Sequence, residues 1–458
     1  MLSSISPIDG RYKKNTGPLA AYFSEAALMK YRVIVEGEYL IALSEARLLR
    51  RLSDKEKKLI RSLYDLSEKD ARTISDIETK GYKNIKATDH DVKAVEYYLK
   101  DKLGQTSLKD VLEWIHFALT SEDTNNLAYG MMLSEATGVV MVPKLREIIK
   151  HLKALAKKHA KLPMLARTHG QPASPTTFGK EFNVFAQRLD RGLSHLMSQK
   201  ILVKLNGATG NYNAHMVAFP KTDWLKFTKK FVASLNKKRM IPLEMNPLTA
   251  QIEPHDSYIE LFDLFKRINN MLIDLNQDIW RYISDEWIVQ KPIEGTIGSS
   301  TMPHKINPIK FENSEGNLGL ANALFEFFAR KLPISRLQRD LSDSTVERNF
   351  GAAFAHSLIA YDYLLKGLAR ISVNKHKVTE VLESHPEVLA EAIQTVLRRE
   401  GVATPYEKLK ELTRGREVTL QDLYDFIDGL EVSGKVKKEL KKLTPCNYIG
   451  LAEKLACL

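Results

Sequence analysis

The run Gly298-Ser299-Ser300-Thr301-Met302-Pro303-His304-Lys305-Ile306-Asn307-Pro308 concentrates groups that bind anions. Consecutive small residues leave backbone N–H groups open, Lys305 adds a cation and Asn307 a side-chain amide, so the run can cradle a carboxylate. Gly and Ser pairs also serve turn geometry alone, so composition by itself leaves a purely structural loop open. A second string, Arg167-Thr168-His169-Gly170-Gln171-Pro172-Ala173, sets His169 in a Gly- and Pro-punctuated turn between two long helical patterns. An imidazole titrates near neutrality and suits proton transfer. Most histidines are structural, and His169 stands out because it sits beside polar groups in a break.

Other segments carry weaker signals. Thr88-Asp89-His90-Asp91 and Thr120-Ser121 stand just before helical patterns and serve equally well as caps. Arg11 with Tyr12, Gln251 in Gln251-Ile252-Glu253-Pro254-His255-Asp256, and Arg339 with Ser344-Thr345-Val346-Glu347-Arg348 offer the guanidinium, amide and hydroxyl donors that a phosphate takes.

The elements that must hold these groups read as helices. Ser257 to Gln290 lacks Gly and Pro, and Ile259, Phe262, Phe265, Ile268, Leu272, Leu275, Ile279 and Ile283 recur every three or four residues. One helix of about 50 Å is expected there. Similar periodicity marks 143–161, 178–205, 313–331 and 345–371, and alternation with a period of two is hardly seen. The expected fold is all-α, a bundle of long helices in which some are apolar on more than one face and so invite helices of neighbouring subunits. Polar stretches near Asp101 to Ser107 and Ser372 to Lys377 divide the chain into three helical domains: N-terminal 1–112, a central long-helix bundle 113–366, and C-terminal 367–458.

Composition narrows the class. The 458 residues are 44% hydrophobic, enough for a substantial core. Met1 to Tyr12 lacks a basic region ahead of an apolar run, so no leader is expected, and no stretch approaches the roughly 18 apolar residues of a membrane span. Cys446 and Cys457, the two cysteines, are too few for a disulfide framework or a structural metal site and suit a reducing compartment. A net charge of +12 is compatible with nucleic acid, but the lysines of 55–58 and 435–442 alternate with Glu and apolar residues as on a solvated helix face. No nucleic-acid partner is expected.

The 298–308 run resembles the signature Gly-Ser-Ser-Xaa-Met-Pro-Xaa-Lys-Xaa-Asn-Pro of the fumarase and aspartase superfamily at every specified position. That resemblance implies β-elimination. Ser299 takes a proton from the carbon next to a carboxylate, an aci-carboxylate forms, and fumarate leaves. Such a base needs positive potential and directed hydrogen bonds to ionise, which Lys305 and the loop amides can supply. The string around His169 is similar to the Thr-His-Xaa-Gln-Pro-Ala segment of the adenylosuccinate lyases, making His169 the general acid for the departing amine. His304, the Gln-Ile-Glu-Pro-His-Asp string and the early Arg-Tyr pair are similar to the longer bacterial form of that family. The same resemblance gives substrate contacts to Arg11, Tyr12, Asp89, His90, Asp91, Thr120, Ser121, Gln251, Ser300, Lys305, Ile306, Asn307, Asn313, Arg339, Ser344, Thr345, Val346, Glu347 and Arg348. Asp89 stands where bacterial members carry Asn, and a carboxylate beside a polyanion is unfavourable, so contact through its side chain is not expected. The implied substrates are adenylosuccinate and the succinylated aminoimidazole carboxamide ribotide. The resemblance also implies a cytoplasmic homotetramer with sites shared between subunits and no metal or cofactor. Argininosuccinate lyase is the alternative enzyme, and a non-enzymatic helical protein is the alternative class.

Overall fold

The computed structural model describes residues 3–237, 239–292, 301–302, 304–415 and 417–458. Helices dominate, as the periodicity predicts, and none of those described is long and apolar enough to cross a membrane. The chain forms two compact units.

The first unit takes Met1–Leu145, Gly192–Asn270 and Gly316–Asp362. Its outer part packs Val33, Leu40, Ile60, Ile77, Val95 and Leu99 into one apolar cluster, all at most 2% exposed. Local signals start these helices: Ser53 and Glu56 form a capping box at Asp54–Ser62, and Ser67 and Asp70 form another at Glu68–Thr79. An aromatic core fills the bundle part of this unit. Phe262 lies 5.0 Å from Phe350 and 5.4 Å from Phe325, and Phe265 lies 4.9 Å from Phe354, between ring centroids. Buried amides stitch the same layer, Asn269 donating to Ser357 Oγ at 3.2 Å and accepting from Tyr361 at 2.8 Å. On the helix Ile309–Lys331, Gly316, Leu320, Ala323 and Phe327 form an exposed stripe, with Leu320 at 55% and Phe327 at 46%.

The second unit takes Arg146–Arg191, Met271–Glu315 and Tyr363–Leu458. Its C-terminal helices close over a cluster that includes Leu389, Leu397, Leu409, Leu423 and Ile427.

Several expected helix ends move. The 257–290 helix becomes Asp256–Ser284, 29 residues or about 44 Å. It stops at Glu286, left-handed at φ 61°, where the N–H groups of Trp287 and Glu286 return to the carbonyls of Tyr282 and Ile283. This is a Schellman ending. Its left-handed residue is normally Gly, and Glu there gives no sequence signal. Ile288–Gln290 then pairs antiparallel with Ile371–Val373. The 178–205 helix likewise ends at Met197, and Ile201–Val203 forms a parallel pair with Leu243–Met245. Against that pair packs Gly130 of the helix Ser121–Glu135, whose added Cβ would lie 2.8 Å from Val203 Cγ1. The 345–371 helix divides into Ser342–Glu347 and Phe350–Leu368.

Candidate active site

In the first unit, His90 opens the helix Asp91–Leu103. Its Nδ1 accepts the Lys93 N–H at 3.3 Å, leaving Nε2 3.3 Å from Ser121 Oγ. Asp89 takes the left-handed backbone at φ 48°, a conformation Asp tolerates better than most residues. Asp91 Oδ2 accepts from Arg32 Nη2 at 2.6 Å and Arg348 Nη2 at 2.7 Å. Burial alone would raise the Asp91 carboxyl. The two guanidiniums outweigh it and hold the group below the ordinary carboxylate range. Arg348 also grips Glu25 at 2.7 Å. Glu25 is more than half exposed, and such a surface pair is worth only about 0–1 kcal/mol, so an anionic ligand can displace it.

Sequence reasoning missed the hub beneath these residues. Asp123 accepts the N–H groups of Thr120, Asn206 and Gly207 at 2.9, 3.0 and 3.1 Å. Lys204 lies 2.9 Å from Asp123, and both side chains are wholly buried. The same ammonium donates to the carbonyls of Gly207 at 2.9 Å and Gln251 at 2.8 Å, while the Gln251 amide donates to Ala208 O at 3.1 Å. One buried ion pair thus fixes the backbone of Thr120–Ser121 relative to Gln251.

A second buried set adjoins it. Arg339 Nη2 lies 3.1 Å from Glu122, Arg339 Nε 3.3 Å from Asp343, and His255 Nε2 3.3 Å from Glu347. Arg339 and Glu347 therefore turn inward, toward charges of their own chain. Burial alone would lower the His255 imidazolium, but Glu347, Glu122 and Glu253 outweigh it and raise it to about 9. Burial and the neighbouring Glu347 push the Glu122 carboxyl up to about 8.

Arg11, Tyr12, Ser344, Thr345 and Val346 also belong to the first unit, and the second unit carries His169, the 298–308 run and Asn313. The expected turn around His169 is a β-hairpin: Pro163–Thr168 pairs antiparallel with Gln171–Thr177, Thr168 facing Gln171 and Pro163 facing Thr177. His169 at φ 54° and Gly170 at φ 75° are its whole loop. Two successive left-handed residues make the hairpin turn whose twist matches that of the strands. His is among the residues that enter this region most readily, and the tip leaves His169 exposed. Arg167, two residues before it, lies over the Trp287 ring at 5.9 Å. Ser299 and Ser300 lie outside the described residues. Downstream of them, the Lys305 N–H bonds Met302 O at 3.1 Å and Gln290 Nε2 holds Ile306 O at 2.9 Å. Lys305 is exposed, Asn307 is half-buried, and Asn313 lies in the first turns of Ile309–Lys331. Among the described residues no group of three or more His, Cys, Asp or Glu side chains is arranged to hold a metal.

The lyase family model matches residues 10–322, and the adenylosuccinate lyase C-terminal model matches 335–449. Solved structures share the fold. A fumarate lyase from Mesorhizobium superposes with TM-score 0.72 at 17% identity over 96% of each chain, and a 3-carboxy-cis,cis-muconate lactonizing enzyme from Pseudomonas putida with 0.71 at 18% over 96% and 95%. The protein is a helical lyase of the fumarase and aspartase superfamily. Over 455 residues the chain is 48% identical to the adenylosuccinate lyase of Haemophilus influenzae and 50% to that of Legionella pneumophila, covering 99% of this chain and 98% of each relative. The Escherichia coli adenylosuccinate lyase is 48% identical over 98% and 97%. The chain belongs to the adenylosuccinate lyase family.

Proposed function

We propose that the protein cleaves adenylosuccinate to AMP and fumarate, and the succinylated aminoimidazole carboxamide ribotide by the same β-elimination. The observation that carries this reading is near-half identity to adenylosuccinate lyases over almost the whole of both chains. Ser299 is the general base and His169 the general acid. Lys305 and Asn307, with Ser300 and Ile306, bind the succinyl carboxylates, and the cation stabilises the aci-carboxylate more than the ground state. Arg11, Tyr12, Gln251, Asn313, Ser344, Thr345, Val346 and Arg348 receive the nucleotide end. His90, Asp91, Thr120 and Ser121 complete the site, with Arg348 oriented by Asp91. Spectrophotometric assay with adenylosuccinate, argininosuccinate and aspartate tests the assignment. Turnover of adenylosuccinate alone is expected, and turnover of argininosuccinate in its place would overturn it.

The active form in this reading is a cytoplasmic homotetramer with shared sites and a central bundle built by the long helices of all four chains. The exposed stripe of Ile309–Lys331 supports it. Gly in a helix interior costs about 0.5–1 kcal/mol relative to Ala, and a Cβ at Gly316 or Gly319 would meet nothing within 4 Å of its own chain. Small residues beside exposed Leu320 and Phe327 suit close approach of another helix. The exposed His169 tip suits a group delivered to a neighbouring chain.

A further inference from the structure

No proposed chemical step uses the buried set Glu122, His255, Arg339, Asp343 and Glu347. Yet its members are chain neighbours of three segments assigned to the substrate, two of them to its nucleotide end. Glu122 follows Ser121, His255 follows Gln251 by four residues, and Glu347 precedes Arg348. His255 is fully buried at the start of Asp256–Ser284 and held there by its backbone, its N–H on Glu253 Oε2 at 2.8 Å and its carbonyl taken by Tyr258 and Ile259. Its backbone is left-handed, φ 68°, which is unfavourable for a residue with a Cβ. The ring lies edge-on to Tyr258 at 5.4 Å. An apolar side chain would fill that space as well, without facing carboxylates. Counting charges, three carboxylates meet one guanidinium, so two protons balance the set, and the His255 ring, 3.3 Å from Glu347, offers a place for one of them.

We propose that His255 is a positioning residue for nucleotide binding: as an imidazolium it holds Glu347 and, together with Arg339 on Glu122, locks Ser344–Arg348 to Thr120–Ser121. Glu347 then acts by placing Arg348 and the backbone before it, rather than by touching the substrate. This rests on the reading that the substrate carries a nucleotide.

The test is AMP binding by titration calorimetry from pH 7 to 10, alongside steady-state kinetics, for wild type, His255→Gln and Glu347→Gln. The groups acting on the ring are Glu347 and Glu122, with Glu253 and Tyr258 from its own segment, and Arg339 pairs with Glu122 and Asp343 behind them. In wild type, AMP affinity falls as the ring loses its proton at alkaline pH. In either variant it is about tenfold weaker at pH 7, as one close buried charge pair no longer orders the segment, and its alkaline fall disappears. KM for adenylosuccinate rises with AMP dissociation, while inhibition by fumarate, which lacks the nucleotide, is unchanged. A residue that only stabilises the fold would lower the melting temperature and leave the affinity and its pH profile alone, overturning the proposal. Should His255→Gln fail to fold, Glu347→Gln and the wild-type profile decide it, and a flat profile overturns it. Wild-type protein that binds no AMP would bring down the functional reading and this inference together. AMP bound equally by wild type and variants brings down the inference alone.

Discussion

Lys204 Nζ and Asp123 Oδ1 lie 2.9 Å apart with both side chains wholly buried, and between them they hold five backbone groups of three segments. Removing one partner strands the other charge. Lys204→Met is expected to cost about 3–5 kcal/mol, seen as a large fall in melting temperature by calorimetry. Asp123→Asn in the same background should recover part of the loss. If Lys204→Met melts like wild type, the pair does not hold the site.

Ser299→Ala and His169→Ala should each lose about 10² to 10⁴ in turnover while keeping their helical circular dichroism, because general acid or base groups are worth that much. A folded variant that retains a tenth of wild-type turnover would refute its own assignment.

Gly170→Ala probes the hairpin rather than the imidazole. At φ 75° an alanine costs about 1–2 kcal/mol, and relaxation of the turn displaces His169. Turnover should fall with His169 intact, whereas Gly170→Asn, which tolerates the left-handed region, should lose much less. Equal kinetics for the Ala variant and wild type would show that the tip geometry is idle.

Shared sites predict complementation. Mixing Ser299→Ala with His169→Ala protein under conditions of subunit exchange should restore activity up to about a quarter of wild type if exchange is random and each site draws the two residues from different chains. Mixing without exchange should restore none. Inactive mixed tetramers, verified by native mass spectrometry, would place both residues in one chain.

Stability should depend on alkaline pH. His255, raised to about 9, contributes stability that is complete below its unfolded value and lost as pH climbs through 9. Glu122, raised to about 8, also binds its proton more tightly when folded, so its contribution falls over the range up to 8. The melting temperature should therefore drop between pH 7 and 9.5, and Glu347→Gln should flatten the upper part of that drop. A parallel curve for the variant would show that the set does not titrate there.

Helix periodicity made the long bundle legible, because each helix buries a regular apolar stripe. The short strands were not legible. Pro163–Thr177 is rich in Pro, Thr and Ala with no alternation, and its one local clue is the His169-Gly170 pair, a two-residue loop able to take left-handed backbone twice. Ile201–Val203 leaves the expected helix only because Leu243–Met245 is there to pair with it. His255 was in view within Gln251–Asp256, but its meaning depends on Glu122 and Glu347, which folding alone brings to it. Lys204 carries no signal in its own neighbourhood at all.

The buried set around His255 also limits how this site can be re-engineered. Transplanting Ser344–Arg348 into a lyase of different specificity would carry Glu347 into a cavity lacking its imidazole, and grafting the segment around Gln251 would import His255 without its carboxylates. Either graft buries an uncompensated charge. Substrate specificity on this scaffold is therefore exchangeable only in blocks that keep Glu122, His255, Arg339, Asp343 and Glu347 together.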